Sequence, residues 1–153
     1  MTRARGFTLT EVMMTLAILG ILSAFALPSF RQYMANQRIK SVSFDLVASL
    51  SYARSEAVKR NATVDVTPAS GGWVKGWTVS TSNQTLRTYT EHNGVNLTDS
   101  ASLSKLSYGN DGRLSTATTN FSIAPATSIS GVSSRCVKVN LSGKALSQMG
   151  ACI

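Results

Sequence analysis

Histidine occurs once in these 153 residues and cysteine twice. His92 stands alone, and Cys136 and Cys152 lack CxxC spacing, so the chain offers no zinc-ligand set and no metal is expected. Acidic residues are few: seven against fifteen lysines and arginines, a formal charge of +8. Beyond residue 60 the acids are Asp65, Glu91, Asp99 and Asp111, and none are spaced as a motif. There is no HExxH, no GxSxG and no glycine-rich phosphate loop ahead of a helix. Together these gaps argue against an enzyme, and no catalytic residue, cofactor or small-molecule substrate is expected. The basic surplus suits anionic partners, phospholipid or nucleic acid, without requiring either.

Charge is also missing where it matters most. From Val12 to Leu27 no residue is charged, and Leu, Ile, Met, Val, Ala and Phe dominate. A helix from Phe7 to Leu27 rises roughly 32 Å at about 1.5 Å per residue, enough to cross a hydrocarbon core. One carboxylate, Glu11, sits near its start. An acid at the centre of such a helix costs on the order of 2.5–3.5 kcal/mol in lipid, less near an end, so Glu11 asks for a partner. Ahead of it lies a short basic leader, Met1 to Gly6, with Arg3 and Arg5. An ordinary secretory signal would be cut after the apolar run, and Ser23-Ala24-Phe25-Ala26 offers such a site. A cut after Gly6 instead keeps the run on the mature chain and creates an α-amino group on Phe7. With a reference pKa of roughly 8, that amine is largely cationic at neutral pH. It lies about one helical turn from Glu11, within one chain or between neighbours.

Prolines number three, and one of them, Pro28, falls inside the helical segment. It removes a hydrogen bond and crowds the Ala24 carbonyl, so a kink or local unwinding is expected, with Ser23 or a neighbouring helix answering the freed carbonyl. After Ser29 the pattern turns amphipathic: Ile39, Val42, Leu46, Leu50, Ala53 and Ala57 form one stripe. Arg38, Lys40, Asp45, Arg54, Glu56 and Lys59 fall mostly off it. Lys59-Arg60-Asn61 suits a helix C-terminus. Composition changes at Asn61. Short β-type runs follow at 63–67, 76–80, 86–90, 106–108, 120–124 and 135–139, separated by Ser, Thr and Gly clusters, with Gly109-Asn110-Asp111-Gly112 a strong turn signal. The expected fold is α+β: a long N-terminal helix, kinked near Pro28, packed against one or two antiparallel sheets. Trp73, Trp77, Leu106 and Phe121 are core candidates. Four segments follow: a leader 1–6, a membrane-spanning assembly half of the helix 7–28, an amphipathic half 29–60, and a β-rich domain 61–153.

Gly6-Phe7-Thr8-Leu9-Thr10-Glu11, the basic leader, the apolar helix and Pro28 together resemble the type IV pilin and pseudopilin signature. The segment Leu50-Ser51-Tyr52-Ala53-Arg54-Ser55-Glu56-Ala57-Val58-Lys59-Arg60-Asn61 is similar to the hallmark of its GspH/FimT branch. Thr10 departs mildly, since Ile or Leu is commoner before the glutamate. The resemblance implies prepilin-peptidase cleavage between Gly6 and Phe7, N-methylation of Phe7, and assembly with other major and minor pilins through the helix. Glu11 would meet the Phe7 amine of an adjacent subunit. Before assembly the chain would sit once through the inner membrane with its globular part in the periplasm. If that part is exported, an oxidising compartment favours a Cys136–Cys152 disulfide over two separate thiols.

Three functions compete on this resemblance. The leading one is a minor pilin near the tip of a type IV pilus that helps prime assembly; a second is a type II secretion pseudopilin. The third is a DNA receptor for natural transformation, with Arg135, Lys138 and Lys144 the candidate contacts on a C-terminal hairpin whose turn at 140–143 would bring Lys138 near Lys144. DNA-uptake members of the FimT group carry a Gly-Arg-x-Arg motif in this region, and the aligned residues here are Gly143-Lys144-Ala145-Leu146. Lysine keeps the first charge without the arginine fork, and Leu146 drops the second.

Overall fold

A computed structural model describes residues 6–152; of the leader only Gly6 falls among them, and Arg3 and Arg5 lie outside the described residues. Helix α1 runs from Leu9 to Arg60 without a break, about 78 Å at 1.5 Å per residue. Thr8 caps it: its backbone is extended and its hydroxyl oxygen accepts the Glu11 N–H at 3.3 Å, satisfying one of the donors a helix start leaves open. The other end closes on Asn61, which takes left-handed backbone angles (φ 50°, ψ 41°). Its N–H reaches the Val58 carbonyl at 3.3 Å, and that of Ala62 reaches Ala57 at 3.2 Å. Asparagine tolerates this geometry better than other side-chain-bearing residues do.

Pro28 lies within the continuous helix, so the unwinding expected there does not occur. Ser23 does not serve the Ala24 carbonyl either; its hydroxyl donates to the Leu19 carbonyl at 2.7 Å, the back-bond that serine makes readily one turn earlier in its own helix.

Eight strands follow: β1 (Val64–Pro68), β2 (Trp77–Ser80), β3 (Thr85–Tyr89), β4 (Val95–Asp99), β5 (Leu106–Tyr108), β6 (Thr119–Pro125), β7 (Arg135–Val139) and β8 (Ala145–Met149), with a 3-10 turn at Trp73–Lys75. They form two four-stranded antiparallel sheets, ordered β3-β2-β1-β5 and β4-β6-β7-β8. The expected runs correspond to six of these strands. β4 was not anticipated, although Val95 and Leu97 alternate with polar residues and do point inward; β8 is the second arm of the expected C-terminal hairpin.

The core is shared by both sheets and the second half of α1. The whole predicted stripe, Ile39, Val42, Leu46, Leu50, Ala53 and Ala57, is buried, as are Trp73, Trp77, Leu106 and Phe121. Trp73 meets Phe121 edge to face, with ring centroids 4.8 Å apart, and Trp77 stacks on Tyr89 at 5.2 Å. Offset and edge contacts of this kind suit the ring quadrupoles. The Trp77 indole N–H donates to Ser49 Oγ at 2.8 Å, and the Ser49 hydroxyl donates to the Leu46 carbonyl at 2.8 Å. A buried indole therefore reaches a satisfied acceptor on the helix itself. Glu56 departs from the expected solvent-facing placement. It is only 7 % exposed, and Arg60 Nε donates to its Oε2 while Lys59 lies 3.8 Å from Oε1. The Arg60 guanidinium, more than anything else, holds the Glu56 carboxyl below its ordinary pKa, against the opposing effect of burial.

Candidate functional site

Two regions could carry function: the uncovered half of α1 and the ground between α1 and the C-terminal hairpin. From Leu9 to Phe30 every residue of α1 is exposed, Phe7 before it is 83 % exposed, and burial begins in earnest at Ala35. The apolar window has a mean hydropathy of 2.0 and none of it is buried, so α1 is long and apolar enough to cross a membrane by length and composition. Covering one large apolar side chain is worth roughly 1.5–3 kcal/mol, and the side chains left bare here extend from Phe7 to Met34. Such a surface demands lipid or other helices. Glu11 sits in the first turn with its carboxylate paired to no cation among the described residues. Gly6 and Phe7 precede the helix in an exposed segment without regular secondary structure. This end of the molecule presents one acid and an apolar rod that can insert and can pack.

At the other end, β7 and β8 form a hairpin with Val137 opposite Ser147 and Val139 opposite Ala145. Its turn is built by Asn140, whose backbone carbonyl accepts the Gly143 N–H at 2.8 Å and whose side-chain oxygen accepts the Lys144 N–H at 3.0 Å. Gly143 takes φ +79°, and a Cβ there would stand 2.3 Å from the Gly112 carbonyl oxygen, so only glycine fits. Cys136 and Cys152 are joined by a disulfide with Cα atoms 5.1 Å apart, tying β7 to the segment that follows β8.

The three cations singled out on this hairpin are not gathered into one patch. Arg135 and Lys138 lie three residues apart on one strand and so face opposite sides of the sheet. Arg135 turns toward the helix side, where Nε donates to Ser147 Oγ at 3.2 Å. Lys138 stands opposite Leu146, which makes residue 144 its diagonal neighbour across the hairpin. Lys144 meets a different group. With Arg54, Lys59, Ser51, Ser55 and Val58 of α1 it lines a cleft of 670 Å³. Arg54 is fixed there by donating from Nε to the Gly112 carbonyl at 3.0 Å. Reasoning along the chain missed this set, since its members are ninety residues apart. The available signal was the row of polar and basic residues at 51, 54, 55 and 59, one helix face beside the apolar stripe. Beneath this corner Tyr108 is fully buried, and burial raises its phenol well above the ordinary range, with Arg54 pulling the other way.

The family model described as type II transport protein GspH matches residues 44–143. The chain belongs to the GspH family. The prokaryotic N-terminal methylation motif matches residues 1–27, and with the fold this places the protein in the GspH/FimT branch of the type IV pilin and pseudopilin superfamily. Among curated proteins, the fimbrial protein EcpB of Eikenella corrodens is 36 % identical over 75 residues, covering 49 % of this chain and 46 % of its own length. The type IV major alpha-pilin of Moraxella bovis is 44 % identical over 48 residues, 31 % of this chain and 30 % of its own. A fimbrial protein of Pseudomonas aeruginosa is 33 % identical over 82 residues, 53 % of each. The matched part thus spans about half the length of these relatives or less. Among solved structures, the type IV minor pilin FimU of Pseudomonas aeruginosa has a similar fold, with a TM-score of 0.63 at 20 % identity, covering 78 % of this chain and 92 % of that one.

Proposed function

We propose that this GspH-family chain is a minor pilin, a structural subunit of a type IV pilus placed near its tip, where it helps prime assembly with other pilins. The observation that carries this reading is a single helix whose second half is buried under its own two sheets while its first half, apolar and headed by a Glu11 that pairs with no cation among the described residues, is bare. Prepilin peptidase would cut between Gly6 and Phe7 and leave an N-methylated Phe7 amine. That amine would answer the Glu11 carboxylate of an adjacent subunit, cancelling a charge that lipid or a helix bundle tolerates poorly. Before assembly the chain would span the inner membrane once, with its globular domain, residues 61–153, in the periplasm. The fold shared with a solved minor pilin supports pilus over other membrane-anchored roles; the family's description as a type II transport protein favours the pseudopilin alternative.

Intact mass of the protein recovered from membranes tests the core of this proposal. Loss of the first six residues with one added methyl is the expected result; a chain beginning beyond Ala26 would overturn it. Glu11→Gln keeps the size of the side chain and removes its charge, and recovery of the variant in sheared filaments should fall steeply while its level in the membrane holds. The DNA reading draws support from Arg54, Lys59 and Lys144 around one cleft. It requires a gel shift of the detergent-solubilised chain at micromolar protein that weakens sharply with salt, and a shift indifferent to salt would remove it.

A further inference from the structure

Two four-stranded sheets leave four edges, and an uncovered edge is a row of backbone donors and acceptors waiting for another strand. Three of the four are guarded. On β3 an extra residue disrupts the register opposite Val79 and Ser80, and Arg87 projects from its middle onto the Tyr52 ring at 4.8 Å. The chain after β5 folds back on that strand, with Leu114 bridging Tyr108 and the Ser115 N–H donating to the Ser107 carbonyl at 2.9 Å. The 3-10 turn at Trp73–Lys75 packs against β4.

The fourth edge, β8, has none of these devices. Its sequence Ala145-Leu146-Ser147-Gln148-Met149 holds no charge and no proline, and its register to β7 is regular. Asn140 donates its N–H to the Lys144 carbonyl and Gly150 donates its own to Ser134. Antiparallel ladders alternate, so the N–H and C=O groups of Ala145, Ser147 and Met149 point away from β7. Among the described residues nothing accepts from or donates to them. Beside this edge runs a strip of α1. At one end is the cleft between Val58 and Ala145; at the other a second cleft, of 330 Å³, lies between Lys40 and Met149. Between them Phe44 stays 54 % exposed, and the Ser43 and Ser147 hydroxyls bond where the helix and strand touch.

We propose that β8 receives an extended segment of a different protein, which adds as a fifth strand to the second sheet and rests its side chains on the Phe44 face of α1. The charges around the edge specify that segment. Lys144, Arg54 and Lys59 surround the first cleft, and Lys40 and Arg135 the second; no acid lines either. A second copy pairing through β8 would set cations against cations in either strand direction, each cleft meeting its counterpart if parallel and the other cleft if antiparallel. The fitting occupant is an alternating apolar and polar strand with an acidic residue at each end, strand addition supplying affinity through the backbone and specificity through the ends.

Amide hydrogen exchange on the full chain in detergent micelles tests this, using the synthetic peptide Asp-Val-Thr-Val-Thr-Val-Asp and its counterpart with lysine at both ends. The acidic peptide should slow exchange at Ala145, Ser147 and Met149, and the lysine-ended one should bind at least tenfold more weakly. Met149→Pro removes an outward N–H at a position that is 73 % exposed and where proline is tolerated. It should weaken the acidic peptide at least tenfold while amides in β6 and β7 keep their protection; Met149→Ala should stay within about threefold of the parent, since it keeps the backbone donor. Equal binding of both peptides, protection on another edge, no binding up to millimolar peptide, or undiminished binding by Met149→Pro would each overturn the proposal. So would protection of the β8 amides that rises with protein concentration in the absence of peptide, because the occupant would then be a second copy.

Discussion

Helix α1 holds two regions made of the same kind of residue and given opposite fates. Between Leu9 and Phe30 leucines, isoleucines and methionines surround the axis and meet nothing; between Ala35 and Ala57 a single apolar stripe is buried under two sheets. The difference is one of pattern: the first half is apolar all round, whereas the second sets its apolar residues in a stripe among charged ones. A stripe can be covered from one side by a small β domain, leaving charged residues in water. A rod that is apolar all round cannot be covered by so short a chain and must find its cover in lipid or in neighbours. One half of α1 therefore contributes to folding, and the other is the part to which the proposed function assigns location and assembly.

This division can be tested from both sides. The largest effect is expected from Leu50→Ala, which opens a cavity where helix and sheets meet and should lower stability by about 2–5 kcal/mol in urea denaturation; Leu19→Ala should leave the same curve unmoved and act only on assembly. Next comes the disulfide. Replacing Cys136 and Cys152 with serine should cost about 3 kcal/mol through the freed loop, read as a shift of the same midpoint relative to the parent under non-reducing conditions. Ser49→Ala leaves the Trp77 indole N–H without its acceptor in a dry core, for a loss of about 1–3 kcal/mol. The smallest effect is that of Glu56. Its folded-state pKa is lowered, chiefly by Arg60, so its contribution is present above the unfolded carboxylate value and disappears as pH falls through the lower, folded one. An acid titration of the parent against Glu56→Gln should show the two stabilities converging at low pH; divergence there would contradict the pairing.

Much of the helix was legible because its information is local. The 3.6-residue stripe from Ile39 to Ala57, the cations before Asn61 and Asn61 itself each act within a turn or two of their own position. Pro28 read as a kink or local unwinding within one helix, and the helix continues through it. β4 escaped, and β8 was legible only as the return arm of the hairpin implied by the turn at 140–143. Ala145-Leu146-Ser147-Gln148-Met149 has weak strand propensity, and it is a strand because β7 beside it supplies the ladder. Glu56 reads as a surface acid until the helix is seen to bury that face against the β domain.

Acting alone, the amino-acid order determined the apolar rod, the stripe and the position of Glu11 near the start of the rod, since each is set within one continuous segment. Tertiary structure decided which cations share a cleft, which strand edge stays open and which residue of the helix accepts the Trp77 indole N–H. Those outcomes depend on contacts between positions up to a hundred residues apart, and such contacts are set by how two sheets close over one helix.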